Sequence, residues 1–413
     1  MNRHISACFM TVALVMLYCS PPAIAQDQPH SPQPSPCQRV VPATADDISA
    51  QARMADMWRA AHKLATGAGV TVAVIDTGVS PHPRLGHVLD GGDFVHDSAT
   101  GGTIDCDAHG TIVAGIIATR PHPTDDLVGI APEATILSIK QTSAFGNSEH
   151  ENEGSILTLV TALRRALELH ATIINISLVS CFAHPPHPAD IAQLQEVLAT
   201  AEEQNVLVIA ASGNTSANCD AHSYVLPAHL ETVLAVSAVT MHHTQADFAL
   251  PAPAPTLSAP GVFSAALDPY TEGLIAGLAY ANDQVPLAGT SFAAPIISGA
   301  AALLAQRFPA ATAAQLRNML LAHSDPATHV FNIAHLVQIL PAADPKSAGL
   351  VPTQSESTLP THIRPDTIQP SQLTGVGVWL SALSIVVTVL VYRRREAVAS
   401  MSENSVHNGI HHR

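Results

Sequence analysis

A parallel β-sheet with helices packed on both faces is the α/β fold that residues 68–340 predict. Three observations carry it. Short runs at 70–75, 135–140, 172–176, 206–210 and 232–239 are β-branched and almost uninterruptedly apolar, as strands covered on both faces must be. Amphipathic stretches at 110–119, 155–170, 190–204, 291–307 and 312–323 alternate with them. The alternation itself selects a parallel sheet, because parallel neighbours need a crossover long enough to hold a helix.

Composition supports a sizeable core. Of 413 residues 47% are hydrophobic and 12% charged, which excludes wholesale disorder. The formal charge is −15, from 18 Lys+Arg against 33 Asp+Glu, and the only lysines are Lys63, Lys140 and Lys346. Such a balance lacks the basic footprint of a nucleic-acid binder. The 23 histidines make the charge change steeply below neutrality.

The ends read as addresses. Residues 1–25 have the form of a secretory signal: Arg3, an apolar stretch from Ile5 to Tyr18, and a small-x-small site at Ala23, Ile24 and Ala25. Bulky Tyr18 before Cys19 argues against lipid attachment. Residues 373–392 contain no charge, and at 1.5 Å per residue they reach roughly 30 Å, the thickness of a bilayer core. Arg393, Arg394 and Arg395 follow at once, which orients this transmembrane helix with residues 393–413 as a cytoplasmic tail and the bulk of the chain outside. Residues 341–372 form a Pro-rich linker between the folded part and this cell-membrane anchor. Of six cysteines, Cys8 and Cys19 fall in the signal. The remaining Cys37, Cys106, Cys181 and Cys219 form an even set in an oxidising compartment, which implies two disulfides with three possible pairings. No two of the four have metal-ligand spacing.

In parallel sheets, functional groups gather where strands end and helices begin. Four segments sit at such junctions. VAVIDTGV ends a strand at Asp76, and DCDAHGTIVAGIIAT puts His109 at the mouth of a helix. VLVIAASGN presents Asn214 on a turn, and LAGTSFAAPIISG opens a long helix at Ser291. Singly, each has an ordinary structural explanation as a turn residue, cap or surface histidine. Together they supply the four parts of acyl-transfer chemistry. A serine hydroxyl needs an imidazole to take its proton, and that imidazole needs a carboxylate to orient it. An amide donor with a backbone N–H receives the oxyanion.

The segments VAVIDTGV, HGTIVAGIIA, INISL, AASGN and GTSFAAPIISG resemble the signatures of subtilisin-like serine proteases, in the order Asp, His, Asn, Ser. The resemblance implies a three-layer α/β/α subtilisin-like fold with a mostly parallel sheet of about seven strands. It implies Asp76, His109 and Ser291 as the catalytic triad, with Asn214 in the oxyanion hole. Ser177, Leu178 and Val179 become the substrate-binding strand, which pairs with an extended protein substrate. Val179 stands where many subtilisins have glycine, and this predicts a narrowed pocket for the side chain before the scissile bond. A peptide library cleaved efficiently after large aromatics would sink that expectation.

The appendages are similar to those of mycosins, membrane-anchored subtilases of type VII secretion systems. Cys106 lies three residues before His109, Cys37 lies on an N-terminal extension, and a Pro-rich linker, single span and basic tail follow the domain. This resemblance implies Cys37–Cys106 and Cys181–Cys219 as the disulfides, and a retained extension rather than a removable inhibitor. It divides the chain into signal 1–25, extension 26–55, peptidase domain 56–340, linker 341–372, span 373–392 and tail 393–413. It also implies a type VII secretion membrane complex as partner. Two other roles compete: a mainly structural subunit of the secretion machine, and a general surface subtilase without a secretion partner.

Other features are weaker. The polar loop 141–154, with Glu149, Glu151 and Glu153, lacks the Asp/Asn-Gly pattern of a calcium loop and reads as a solvated insertion. The pairs His242-His243 and His411-His412 lack any H-E-x-x-H context and read as surface residues. ALPAPAP at 249–255 reads as a stiff surface loop. No metal or other cofactor is expected. No repeat of 20–50 residues and no phosphate-cradling glycine motif is present.

Overall fold

The computed structural model describes residues 37–95, 101–145, 154–253, 255–280, 283–332 and 335. Strand β1 (Arg39–Pro42) and helix α1 (Ala45–Arg59) come first. The α/β core follows as β2 (Thr71–Asp76), β3 (Val88–Asp93), α2 (His109–Ala118), β4 (Thr135–Lys140), α3 (Ile156–Glu168) and β5 (Ile173–Ile176). It continues through β6 (Ser180–Phe182), α4 (Pro188–Glu203), β7 (Leu207–Ala211), β8 (Tyr224–Leu226), β9 (Leu234–Val239) and β10 (Thr256–Pro260). Short strands β11 (Val262–Phe263) and β12 (Ala266–Leu267), a hairpin of β13 (Leu274–Tyr280) and β14 (Asp283–Ala288), and helices α5 (Thr290–Arg307) and α6 (Ala313–Ala322) complete it.

The central sheet has seven strands in the order β10-β9-β7-β5-β2-β4-β3, and every pairing in it is parallel. Successive residues of β2 face opposite sides, as the two-residue period of a strand requires. Val72 and Val74 join the core formed with α1, α2, α5 and α6, whereas Ala73 and Ile75 join the core under α3 and α4. Three layers result. Strand β2 is also the topological switch: the chain leaves it for β3 and β4 on one side and for β5, β7, β9 and β10 on the other. Such a reversal opens a crevice beyond the carboxyl ends of the strands.

A second, antiparallel sheet ties the N-terminal extension to the domain. Strand β1 pairs with β13, with Val40 opposite Leu278, and Gln38 N–H donates to the Cys106 carbonyl at 2.9 Å. Helix α1 starts in a capping box between Thr44 and Asp47. Its buried face is Gln51, Met54, Ala55 and Trp58, spaced i, i+3, i+4 and i+7. The Trp58 indole donates to the Val128 carbonyl at 3.1 Å, so the polar end of this anchor is satisfied inside the core. The boundary expected at residue 55 falls inside α1.

Among the described residues no helix is long and apolar enough to cross a membrane. The expected signal 1–25, linker 341–372, span 373–392 and tail 393–413 lie outside them, as do Glu149, Glu151, Glu153 and the His411-His412 pair.

Candidate active site

The four junction residues meet at the carboxyl edge of the sheet. Asp76 is the last residue of β2 and is fully buried. Its Oδ1 accepts the Thr77 N–H at 2.8 Å and lies 2.7 Å from His109 Nδ1. Its Oδ2 is buried without a hydrogen-bond partner in the described structure. His109 opens α2 after Ala108, whose φ of 69° is left-handed and turns the helix entry back over the end of β2. Gly110 makes this approach possible, since a Cβ there would stand 1.9 Å from the Gly78 carbonyl oxygen.

Burial by itself would lower the basicity of the His109 imidazole. The Asp76 charge and hydrogen bond outweigh it, Asp105 and Asp107 add to them, and the pKa is raised above the ordinary histidine value.

Ser291 is the second residue of α5 and is 7% exposed. A Cβ on Gly289 would lie 2.9 Å from Ser291 Oγ and 3.2 Å from Asn214 Nδ2, so a glycine there leaves both groups facing one space. The orientation of Asn214 follows from its partners. Its Oδ1 accepts Thr290 N–H at 2.9 Å and Thr290 Oγ1 at 3.1 Å, which turns Nδ2 towards Ser291. The His109 ring packs on Phe292 with centroids 5.3 Å apart, which sets the imidazole against the first turn of α5. The first N–H groups of that helix have no partner within it and carry the positive end of its dipole.

Pro295 inside α5 has no N–H to offer the Ser291 carbonyl four residues earlier. Ser177 Oγ supplies that donor at 2.8 Å. Asn175 Nδ2 in turn donates to Ser177 Oγ at 2.9 Å, and Ser298 Oγ donates to Asn175 Oδ1 at 2.8 Å. The Ser177 side chain, expected on a substrate-binding strand, therefore serves the nucleophile's helix. Leu178 and Val179 continue the segment half-buried. Val179 Cγ2, Val225 Cγ1 and Leu250 Cδ1 converge within 3.6 Å of where a Cβ on Gly213 would stand, beside Asn214. A cavity of about 150 Å³ lies next to this segment, lined by Thr142, Leu159, Leu178, Val179 and Ser180 among others.

Sequence reasoning missed Asp105. It is buried and accepts four hydrogen bonds: from Thr77 Oγ1 at 2.9 Å, Asp107 N–H at 3.2 Å, Thr111 N–H at 2.8 Å and Thr111 Oγ1 at 2.6 Å. Burial pushes its pKa up to about 6 against the pull of those bonds, and the Asp76 charge adds to the rise. The available signal was an acid four residues before the helix-opening His109, where a carboxylate meets free helix N–H groups. Asp107 braces the opposite side, accepting Ser143 Oγ at 2.5 Å and Ala144 N–H at 2.7 Å.

Two disulfides frame the site. Cys37 is bonded to Cys106, with Cα atoms 4.7 Å apart, and fastens the extension to the His109 loop. Cys181 is bonded to Cys219, at 5.6 Å, and joins the segment after Val179 to the loop after Asn214. Among the described residues no three His, Cys, Asp or Glu side chains gather as metal ligands, and His242 and His243 are exposed.

The sequence profile of the subtilase family matches residues 67–345. Mycosin-1 of Mycobacterium tuberculosis is 38% identical over 356 residues, covering 74% of this chain and 79% of its own. Mycosin-4 of the same organism is 38% identical over 67% of this chain, and the match spans 64% of that relative, just under two thirds of its length. The solved structure of MycP3 protease from the type VII (ESX-3) secretion system superposes with a TM-score of 0.66 at 33% identity, covering 74% of this chain and 93% of that one. A chain of an intact ESX-5 inner membrane complex is 27% identical with a TM-score of 0.68, covering 89% and 94%.

Proposed function

This chain belongs to the subtilase family and is a mycosin-like serine protease, and from that premise we propose that it is an endopeptidase whose triad is Asp76, His109 and Ser291. Ser291 Oγ attacks the scissile carbonyl carbon while His109 takes its proton. Asp76 holds the ring through Nδ1 and stabilises the imidazolium. Asn214 Nδ2 and the Ser291 N–H receive the negative charge on the carbonyl oxygen. His109 then returns the proton to the leaving amine, and water repeats the sequence on the acyl-enzyme. The observation that carries this reading is the 2.7 Å Asp76–His109 pair set against the helix turn that bears Ser291.

The substrate is an extended protein segment lying along Ser177, Leu178 and Val179. Val179, Val225 and Leu250 fill the space beside Gly213, which supports a small residue before the scissile bond. In a peptide library Val179→Gly should extend cleavage to large aromatics; a wild type that already cleaves after them efficiently contradicts the filled pocket.

The physiological role that fits is processing of proteins exported by a type VII secretion system, by an enzyme held to the cell membrane through residues 373–392. The charge pattern of the C-terminal segment and the names of the relatives support this. One observation favours a second reading, a stabilising subunit of the secretion machine. Both an intact ESX-5 inner membrane complex and a periplasmic assembly from one contain a chain of this shape, at 27% and 28% identity.

Ser291→Ala in the full chain separates the readings. Substrate cleavage should fall by about 10⁴-fold or more. Secretion that persists with the inactive variant points to the machine role, and secretion lost with it points to processing. Should no secretion subunit co-purify from detergent-solubilised membranes with either form, a general surface subtilase is the better description.

A further inference from the structure

The Asp76–His109 pair rests on a second carboxylate that the proposed mechanism does not use. Thr77 is the link. Its N–H donates to Asp76 Oδ1, its hydroxyl donates to Asp105 Oδ1, and the same hydroxyl accepts Gly110 N–H at 3.0 Å. On the other side, Thr111 gives both its N–H and its hydroxyl to Asp105 Oδ2, while its Oγ1 accepts Ser80 N–H at 3.0 Å. Asp105 thus binds the exit of β2, from Thr77 to Ser80, to the first turn of α2 at Gly110 and Thr111. Those are the two pieces of main chain that carry Asp76 and His109. Its loop is itself anchored, because Cys106 is bonded to Cys37 and its carbonyl accepts both Gln38 N–H and Tyr270 Oη.

We propose that Asp105 is a positioning residue for the triad: through Thr77 and Thr111 it holds Asp76 and His109 in register, and its negative charge favours the imidazolium that forms on His109 during attack. The inference rests on the triad reading given above. It also accounts for a buried acid with four donors and no cationic partner among the bonds that hold it. A carboxylate accepts all four without a reversed hydroxyl; a protonated acid or an amide in its place must turn one donor against another. The charged and titratable groups around it are Asp76 at the end of β2, Asp107 and His109 on its own segment, Tyr270 on the turn before β13, and Lys140 on β4. The Lys140 ammonium donates to the Ile104 carbonyl at 3.3 Å. Burial raises the Asp105 pKa to about 6, and His109 feels its charge, so the two titrations are coupled.

The test uses the full chain and a fluorophosphonate probe, which forms an Oγ–P bond at Ser291 with loss of fluoride and needs no knowledge of the natural substrate. The labelling rate against pH reports the ionisation of His109. Asp105→Asn should label about tenfold more slowly at its plateau, and the acid limb should move to lower pH by about half a unit to one unit, because a negative charge near His109 has gone. Thr111→Val removes one hydroxyl donor but leaves the main-chain donors, and serves where the first variant does not fold. Asp105 then protonates more readily, so the limb should move in the same direction by less. A limb that stays in place in every folded variant overturns the proposal, even if labelling slows, because a scaffold role alone changes rate and not ionisation. Ser291→Ala and His109→Ala are the separate control. If either still labels at the wild-type rate, the triad reading itself has failed; if both are silent and only the limb is unmoved, Asp105 alone has been misread.

Discussion

The two sides of the catalytic crevice are held by different kinds of force. On the Asp76–His109 side the scaffold is charged: Asp105 and Asp107 fix the loop before α2, and a disulfide ties that loop to the N-terminal extension. On the Asn214–Ser291 side it is neutral: Thr290 orients the amide, and Ser177, Asn175 and Ser298 replace the hydrogen bond that Pro295 cannot make. The difference teaches what each side must do. The base must change charge during the reaction, so it sits among carboxylates that favour the charged form. The nucleophile and the oxyanion donors must only keep their places, and neutral hydrogen bonds and close glycine packing do that at any pH.

After the nucleophile itself, the largest expected effect on the neutral side is at Asn214. Asn214→Ala should lower kcat by about 10²–10³ with little change in KM, since the amide acts on charge that develops after binding. A loss confined to KM would remove Asn214 from the oxyanion site. Ser177→Ala should do less, about tenfold in kcat, because it leaves the buried Ser291 carbonyl without a donor and costs about 1–3 kcal/mol in the turn that carries the nucleophile. The pH profile of this variant should not move. A shifted acid limb in Ser177→Ala would break the division between the sides, because no ionisable group belongs to that network.

The sequence displayed the four reacting groups because each falls at or just beyond the end of a strand or at the start of a helix, with a glycine close beside it: Gly78, Gly110, Gly213 and Gly289. Hydropathy finds those junctions, and Asp76, His109, Asn214 and Ser291 each carry the required group there. It did not display the scaffold behind them. Nothing in the sequence alone says that Asp105 is buried, held by Thr77 and Thr111. Ser177 reads as part of a substrate strand, and nothing local says that its side chain also serves the carbonyl that Pro295, over a hundred residues later, leaves without a donor. Strand β3 hides for another reason. Its residues VLDGGD are half polar, as an edge strand tolerates, so they do not form the apolar run that marks its central neighbours. The hairpin of β13 and β14 carries Gly277 and Pro286, which read as loop residues until β1 and β11 are seen to pair beside them.

The smallest effect separates the sides by stability rather than rate. The folded Asp105 has a pKa of about 6, above the unfolded value of 3.8, so the folded state binds more protons between those limits. The cost of burying its charge is present in full above pH 6 and is relieved as pH falls towards 4. His109 acts in the same direction: its folded pKa is raised, so its stabilising pair with Asp76 is complete below the ordinary histidine value of 6.5 and is lost as pH rises through the higher folded one. His62, His82 and His229 oppose this, because burial lowers their pKa values and the folded state resists their protonation. Their contribution is common to wild type and variant and cancels in a comparison. Asp105→Asn should therefore gain less stability than wild type between pH 8 and pH 5, by about 1 kcal/mol or roughly 2 °C in Tm. Ser177→Ala should lower Tm by the same amount at both values. Parallel Tm curves for wild type and Asp105→Asn would mean that Asp105 keeps one protonation state across this range, and the charged side of the crevice would then owe its pH response to His109 alone.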